Sequence, residues 1–171
     1  MVTGGQTCAL PILIASVLAE RLRGSYKMLH LPDGLSQDSL HMLMTCEPQI
    51  KEIGDLISRT DVLLFGIGTA MRMADQRHIA DDVRKQLIDN HAVGEALGQY
   101  CDIEGKLIYS TNNIGLSLPD VVKVPNVIAV AGGQEKANAI IGVMRACQKG
   151  ILIIDEQAAE GMRQLLQISA L

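Results

Sequence analysis

The chain has 171 residues, a length that is sufficient for one domain with a substantial core. Its formal net charge is −4, which argues against nucleic-acid binding by this domain itself. Apolar residues make up 48% of the chain but aromatic residues only 2%, so we expect an aliphatic core. No stretch of the sequence has the length and apolarity of a membrane-spanning helix. The four cysteines lack paired spacing and favour a reduced, cytoplasmic protein without disulfides.

The first twelve residues are unlike the rest of the chain. Residues 6–12 back-translate to CAG ACG TGT GCT CTT CCG ATC, a string found in a common sequencing adapter, and residues 2–4 continue it upstream. We therefore expect residues 1–12 to be adapter-derived and residues 13–171 to be the C-terminal part of a longer domain. The alternative is a natural glycine-rich phosphate loop at residues 3–5, which genomic reads that continue unchanged through this segment would support.

The next segments predict short helices and a strand. Residues 13–23 have the apolar spacing of a helix end with Gly24 as its C-cap, and residues 26–31 are typical of a strand. Ser36 is placed to cap the first of two short helices that are divided near Pro48. These elements lead into the first strongly apolar strand.

Three short apolar runs predict buried parallel strands. They are residues 61–65, 127–131 and 151–154. Helical patterns separate them, so we predict an α/β fold with a mainly parallel, open, Rossmann-like sheet and right-handed crossovers. Residues 102–110 interrupt this alternation with a hairpin-like excursion, and residues 71–84 predict an exposed helix pair or loop.

Two of these strands end in glycines. Gly66-Ile67-Gly68 follows the first strand, and Gly132-Gly133 follows the second. Ligands gather at the carboxyl ends of the strands in an open parallel sheet, so we expect both glycine turns to border one crevice. The first glycine turn by itself lacks the third glycine of a dinucleotide-binding fingerprint.

The stretch around Gly132 and Gly133 has the features of an anion site. A helical pattern begins directly after the glycines, and a helix N-terminus points free N–H groups and the positive end of its dipole at one spot. Lys136 adds a positive charge one turn into that helix. A phosphate fits this description, and a plain strand-to-helix turn with a surface lysine is the alternative.

Charged side chains elsewhere are candidates for the same crevice. An arginine of the 71–84 segment would provide a second anion contact if it reached the crevice, although such arginines are also commonly solvated. Glu95 either faces water or hydrogen-bonds the hydroxyls of a ligand. Asp155 stands at the carboxyl end of the third strand, where an acidic residue also suits the first turn of a helix.

Five segments in the right order resemble the effector-binding domain of SorC-type, sugar-responsive transcriptional regulators. They are GSYKMLHLP at 24–32, FGIG at 65–68, AVGEALGQY at 92–100, IAVAGGQEKANAI at 128–140 and IIDEQAA at 153–159. The resemblance extends over residues 13–167. It implies a fold that is related to the folds of sugar-phosphate isomerases.

The resemblance also implies a function. Proteins of this family sense phosphorylated sugars, and the implied effector is fructose 1,6-bisphosphate or a similar glycolytic sugar phosphate. Their operator DNA is bound by an N-terminal helix-turn-helix domain, which this sequence does not contain. Effector binding changes their assembly, so a homo-oligomer is implied. Neither a cofactor, a metal ion nor a membrane partner is expected.

Site residues follow from the family pattern by position. Lys136 is implied to contact a phosphate, and Glu95 is implied to contact the sugar hydroxyls. Gln76 departs from an arginine pair of the family, which leaves Arg77 as the candidate for the second phosphate contact. The family's glycine-threonine phosphate loop would lie upstream of Leu13. The candidate effector site, in which no residue is assigned a catalytic role, comprises Gly66, Gly68, Arg77, Glu95, Gly132, Gly133 and Lys136.

Two other functions stay open. A sugar-phosphate isomerase would use Glu95 or Asp155 as its base and Lys136 as its phosphate anchor, and it would show turnover, whereas a sensor binds without turnover. A purely structural oligomerisation domain would do neither. A helix-turn-helix encoded upstream of the chain would favour the regulator.

Overall fold

The structure is a computed structural model that describes residues 6–29, 31 and 35–167. The chain divides into two compact units, residues 1–32 and residues 33–171, which are described separately. The first five residues of the adapter-like segment lie outside the described residues.

In the described part of the first unit, helix α1 spans Gln6–Arg21 and so begins before Leu13. The left-handed residue of its ending lies one position before the predicted C-cap at Gly24. Arg23 takes the left-handed conformation with φ 54°, and the N–H of Gly24 donates to the Ala19 carbonyl at 2.8 Å. Together with the bond from the Arg23 N–H to the Glu20 carbonyl, this is a Schellman ending in which a non-glycine residue adopts positive φ.

The strand predicted at residues 26–31 is wrong for the residues that the structure describes. Residues 26–29 and Leu31 form neither helix nor strand. An alternation of apolar residues makes a strand only where a neighbouring strand completes its hydrogen bonds. The recorded strand pairings all join segments of the second unit.

The second unit alternates helices and strands. Its helices are α2 Gln37–Cys46, α3 Pro48–Ser58, α4 Ala70–Gln76, α5 Asp81–Asp89, α6 Ala137–Cys147 and α7 Glu156–Leu165, with 3-10 helices at Pro119–Lys123 and Gln134–Lys136. Its strands are β1 Val62–Gly66, β2 Gly68–Thr69, β3 Gly94–Ala96, β4 Gln99–Cys101, β5 Leu107–Ser110, β6 Asn126–Ala131 and β7 Ile151–Ile154.

Local sequence signals account for several helix boundaries. The Ser36 side chain accepts the N–H of Ser39 at 3.1 Å and caps α2, as its position predicts. Pro48 lies in the first turn of α3, where its missing N–H costs nothing, so the predicted division near Pro48 is confirmed. Of the two alternatives predicted for residues 71–84, a helix pair or a loop, the structure shows the helix pair, α4 and α5.

The strands form two sheets. One is parallel, with order β1-β6-β7, and the other is antiparallel, with order β2-β3-β4-β5. The α/β class is confirmed. The antiparallel part is larger than the hairpin-like excursion predicted from the sequence, because the glycine-flanked segments at residues 68–69 and 94–101 also pair with one another.

Only one face of the parallel sheet is buried, although all three strands are predicted to be buried. Helices α6 and α7 pack against the side chains of that face, including Phe65, Val127 and Ala129. Side chains of the opposite face alternate with them, as the two-residue period of a strand requires. The exposed apolar side chains of this face are Val62, Leu64, Val130, Ile151 and Ile153.

The segment Gly66-Ile67-Gly68 is not the glycine turn that the sequence predicts. Gly66 ends β1 and Gly68 begins β2, so the chain continues in extended form from one sheet into the other. Ile67 is only 2% exposed, and its N–H donates to the Val130 carbonyl at 3.2 Å. Gly68 is needed for space, because a Cβ there would overlap the Met73 side chain.

We expect the chain produced alone to self-associate through the exposed face of the parallel sheet, since a contiguous apolar surface of this kind favours association. Leu64, on β1, is 47% exposed in this face. Leu64→Lys introduces a charge there and should lower the weight-average mass in sedimentation velocity. Val122, 46% exposed in the first 3-10 helix, provides the matched Val122→Lys control. Equal masses for both variants would show that another surface drives association.

Candidate functional site

The predicted site segments meet at the carboxyl edge of the parallel sheet. Strands β1 and β6 pair in parallel, with Gly66 opposite Val130, so Gly66 and the Gly132-Gly133 turn lie at the same end of neighbouring strands. Strand β2 packs against the second 3-10 helix and against α6. The candidate residues of both segments therefore belong to one edge of the fold.

The turn after β6 is fastened by Asp155. Gly133 has φ +95°, a conformation that favours glycine, and its N–H donates to both carboxylate oxygens of Asp155 at 2.9 and 3.1 Å. The same carboxylate caps α7 by accepting the N–H of Ala158 at 2.8 Å. In this structure the anionic group that meets the turn is thus a side chain of the protein itself.

The charges around this turn are complementary. The N–H of Ala158, followed by the N–H of Gly133, lowers the pKa of the Asp155 carboxyl below its usual value. The Lys136 ammonium adds a smaller effect in the same direction. Lys136 ends the short 3-10 helix and stands at the N-cap position of α6, and not one turn inside a helix as predicted.

A second cation and carboxylate meet beside the antiparallel sheet. Glu95 lies on β3 directly opposite Gly68 of β2, and only 3% of it is exposed. Arg77, which follows α4, donates from Nη2 to Glu95 Oε1 at 3.2 Å. Glu95 therefore does not face water, which was one of the two environments expected for it.

Burial dominates the electrostatics of Glu95. Removal from water raises the pKa of the Glu95 carboxyl above its usual value, while the Arg77 charge and the Gly98 N–H act in the opposite direction. Both bonds recorded for this carboxylate fall on Oε1. On the other side of the pair, Arg77 Nε is buried and bonds to no group that the structure describes.

The hairpin between β3 and β4 places the Glu95 carboxylate. Leu97 and Gly98 form its two-residue turn with φ of 55° and 77°, the positive values of a type I′ turn. The N–H of Gly98 donates to Glu95 Oε1 at 2.7 Å. Thr111 donates to the Gly98 carbonyl, and Asn113 donates to the Leu97 carbonyl at 3.1 Å, so the turn is held from outside.

Glycine also sets the distance between β3 and α6. A Cβ at Gly94 would lie 2.8 Å from the Ala139 carbonyl oxygen and 3.1 Å from Val143 Cγ2. This close approach brings the strand that carries Glu95 next to the helix that follows Lys136. The structure thus gathers Gly68, Arg77 and Glu95 in one cluster and Gly132, Gly133 and Lys136 in an adjoining one.

An open cleft of about 690 Å³ lies elsewhere in the second unit. It runs between the α2–α3 pair and residues 110–117, and Gln99, Thr111 and Asn113 contribute to its wall. None of the seven candidate residues lines it. Among the described residues there is no cluster of three metal-ligating side chains, and no described helix combines the length and apolarity needed to cross a membrane.

Sequence reasoning missed the partners that hold the candidate side chains. The sequence indicates Asp155 as a helix-opening residue or a base, but not as the acceptor for the Gly133 N–H. It also gives no reason to include Gly98, Thr111 and Asn113 in the site. A glycine between two short strands is the available signal for the type I′ turn, but the bonds from Thr111 and Asn113 cross between segments and leave no local pattern.

Comparisons of the sequence with protein families and with curated proteins point to the same family. Residues 6–164 match the family model described as "Putative sugar-binding domain". The chain is 35% identical over 147 residues to the central glycolytic genes regulator of Bacillus subtilis, covering 86% of this chain and 43% of that protein. It is 37% identical over 147 residues to the regulator of the same name from Priestia megaterium, with the same coverage.

A solved structure with a similar fold points to the same family. It is titled "The crystal structure of the putative SorC family transcriptional regulator from Enterococcus faecalis", and it matches with TM-score 0.79 and 38% identity, covering 87% of this chain and 60% of that one. The chain spans 43% of the length of the two curated relatives. The match extends over nearly the whole chain, and the chain therefore belongs to the family of sugar-binding domains that occurs in SorC-type transcriptional regulators.

Proposed function

We propose that this chain senses a phosphorylated sugar, such as fructose 1,6-bisphosphate or a similar glycolytic sugar phosphate, as part of a bacterial transcriptional regulator of sugar metabolism. One observation carries this proposal: a buried carboxylate with an oxygen to spare, Glu95, adjoins a glycine turn that bears Lys136. A carboxylate accepts hydroxyl hydrogen bonds, and an ammonium group neutralises phosphate, so the two clusters suit the two parts of a sugar phosphate.

The phosphate subsite centres on Lys136. Asp155 already accepts the Gly133 N–H, so the ammonium group supplies the positive charge for the ligand. Gly132 contributes space, because a Cβ there would lie 2.7 Å from Asp155 Oδ2 and would crowd the turn. The Enterococcus relative is named as a transcriptional regulator and the Bacillus relative as a regulator of central glycolytic genes, which supports the regulatory setting.

The same proposal extends to the N-terminal segment, the DNA-binding domain and the assembly of the complete regulator. Residues 1–12 are adapter-derived, and residues 13–171 are the later part of the effector-binding domain. A helix-turn-helix domain of the complete protein binds the operator, since this chain has a net charge of −4. The complete protein is a cytoplasmic homo-oligomer that uses no cofactor. The chain spans only 43% of the length of the two curated relatives, and the remaining length of those proteins is sufficient for such a domain.

A sugar-phosphate isomerase is the second candidate. The observation in its favour is the raised pKa of Glu95, because a buried carboxylate of this kind suits a general base. The names of the relatives favour a sensor. Incubating the protein encoded by the complete reading frame with sugar phosphates separates the two, since interconversion with turnover supports the enzyme and binding without conversion supports the sensor.

Lys136→Ala tests the phosphate subsite. A lost charge-assisted hydrogen bond is worth roughly 1.5–3 kcal/mol, so Kd for fructose 1,6-bisphosphate should rise by about 10- to 150-fold with little change in stability. Calorimetry on the complete protein measures it. Lys85→Ala, which removes an exposed charge of α5, is the matched control. An affinity as high as that of the parent would refute the role of Lys136.

Glu95→Gln tests the hydroxyl contact. The amide keeps the shape of the side chain but replaces one acceptor oxygen with a donor. We expect weaker binding of the sugar phosphate and little change for inorganic phosphate, which carries no sugar hydroxyl. Competition calorimetry with both ligands measures the difference. Equal losses for the two ligands would mean that Glu95 does not recognise hydroxyls.

A further inference from the structure

We propose that Arg77 is a positioning residue that acts on the ligand through Glu95, by turning the Glu95 carboxylate so that Oε2 is presented to a ligand hydroxyl. This inference rests on the proposed function of the site. It assigns Arg77 a different task from the direct phosphate contact that the family resemblance implies.

The ion pair between Arg77 and Glu95 shares its carboxylate oxygen with a backbone donor. Arg77 Nη2 and the Gly98 N–H reach the same oxygen, Glu95 Oε1, at 3.2 and 2.7 Å. A carboxylate held by two donors on one oxygen has a fixed plane, and its second oxygen keeps its acceptor capacity. The donors come from different elements, because Arg77 follows α4 and Gly98 lies in the β3–β4 turn.

The burial of the two side chains gives the second step. The Glu95 side chain is 4% exposed, whereas the Arg77 side chain is 28% exposed. A buried carboxylate without a cation would be costly, so the ion pair with Arg77 favours the ionised form of Glu95 against the effect of burial. An arginine that is committed to this carboxylate has fewer donors left for a phosphate.

The other groups packed around β3 do not replace Arg77. Gly68 faces Glu95 from β2, and Ala139 and Val143 approach β3 from α6, and these side chains carry no charge. On β4, Tyr100 lies opposite Glu95. Its neighbour Cys101 supplies no positive charge either, because a thiol is neutral or negative, and burial raises the pKa of this thiol to about 12. Among the described groups beside Glu95, the positive charge comes from Arg77.

A pH dependence follows from this arrangement. Burial raises the pKa of Glu95 and Arg77 opposes that rise, so removal of Arg77 raises the pKa further. Binding through the ionised carboxylate is complete above the Glu95 pKa and is lost as the pH falls through it. Without Arg77, the loss of ligand binding therefore begins at a higher pH.

The test compares Arg77→Met, Arg77→Lys and the control Arg72→Met, which removes an exposed arginine of α4. Kd for fructose 1,6-bisphosphate is measured by calorimetry on the complete protein over roughly pH 4 to 8. We expect Arg77→Met to raise Kd by about tenfold at neutral pH and to move the loss of binding to higher pH. Arg77→Lys should restore part of both, and Arg72→Met should change neither.

A double-mutant cycle separates positioning from direct contact. If Arg77 acts through Glu95, Arg77→Met adds little to the loss already caused by Glu95→Gln. Equal losses from Arg77→Met in the two backgrounds would overturn the proposal in favour of a direct phosphate contact. An unchanged pH profile in Arg77→Met would overturn it as well.

A ligand-free measurement keeps this inference distinct from the proposed function. Side-chain carbon NMR follows the titration of Glu95 in the parent and in Arg77→Met, and we expect a higher midpoint in the variant. A parent that binds no sugar phosphate refutes the proposed function. An unchanged Glu95 midpoint refutes the role of Arg77, whatever the ligand results are.

Discussion

The parallel pairing of β1 with β6 is the constraint on which the rest of the second unit depends. Its register sets Gly66 opposite Val130, and the Ile67 N–H continues the pairing at 3.2 Å. The chain then passes without a turn into β2, so one ladder fixes where the antiparallel sheet begins. The carboxyl ends of β1 and β6 thereby bring the Glu95 hairpin beside the glycine turn, although the two segments are far apart in sequence.

Two carboxylates at this edge have opposite environments. Glu95 is buried and its pKa is raised, whereas exposed Asp155 accepts three backbone N–H bonds from two residues and its pKa is lowered. Burial without enough donors favours the protonated acid, and N–H donors favour the ionised form. The two groups also differ in their contacts: Asp155 holds the Gly133 turn and the start of α7, whereas the bonds recorded for Glu95 fall on one of its two oxygens.

The fold was largely predictable because its strands are local apolar runs and its caps are local polar residues. The runs at 61–65, 127–131 and 151–154 all form strands, and Ser36 caps its helix as expected. The prediction failed where secondary structure depends on pairing with a distant strand. Residues 26–29 have no partner strand and form none, and the Gly66–Gly68 segment is extended instead of forming a turn. The candidate site residues come from the family resemblance, which does not identify the groups that hold them. Arg77 lies 18 residues from Glu95 and Gly133 lies 22 residues from Asp155, distances at which sequence periodicity carries no information.

The Asp155 carboxylate joins two parts of the fold into one cooperative unit. It caps α7 and also holds Gly133, which begins the turn leading into α6. Its contribution is present above the ordinary carboxyl pKa and is lost as the pH falls through the lowered value in the folded state. Acid therefore releases the start of α7 and the glycine turn together. Local opening of this edge is expected to proceed as a single step, in which two helix beginnings that are separate in sequence open with the same free energy, as measured by amide hydrogen exchange.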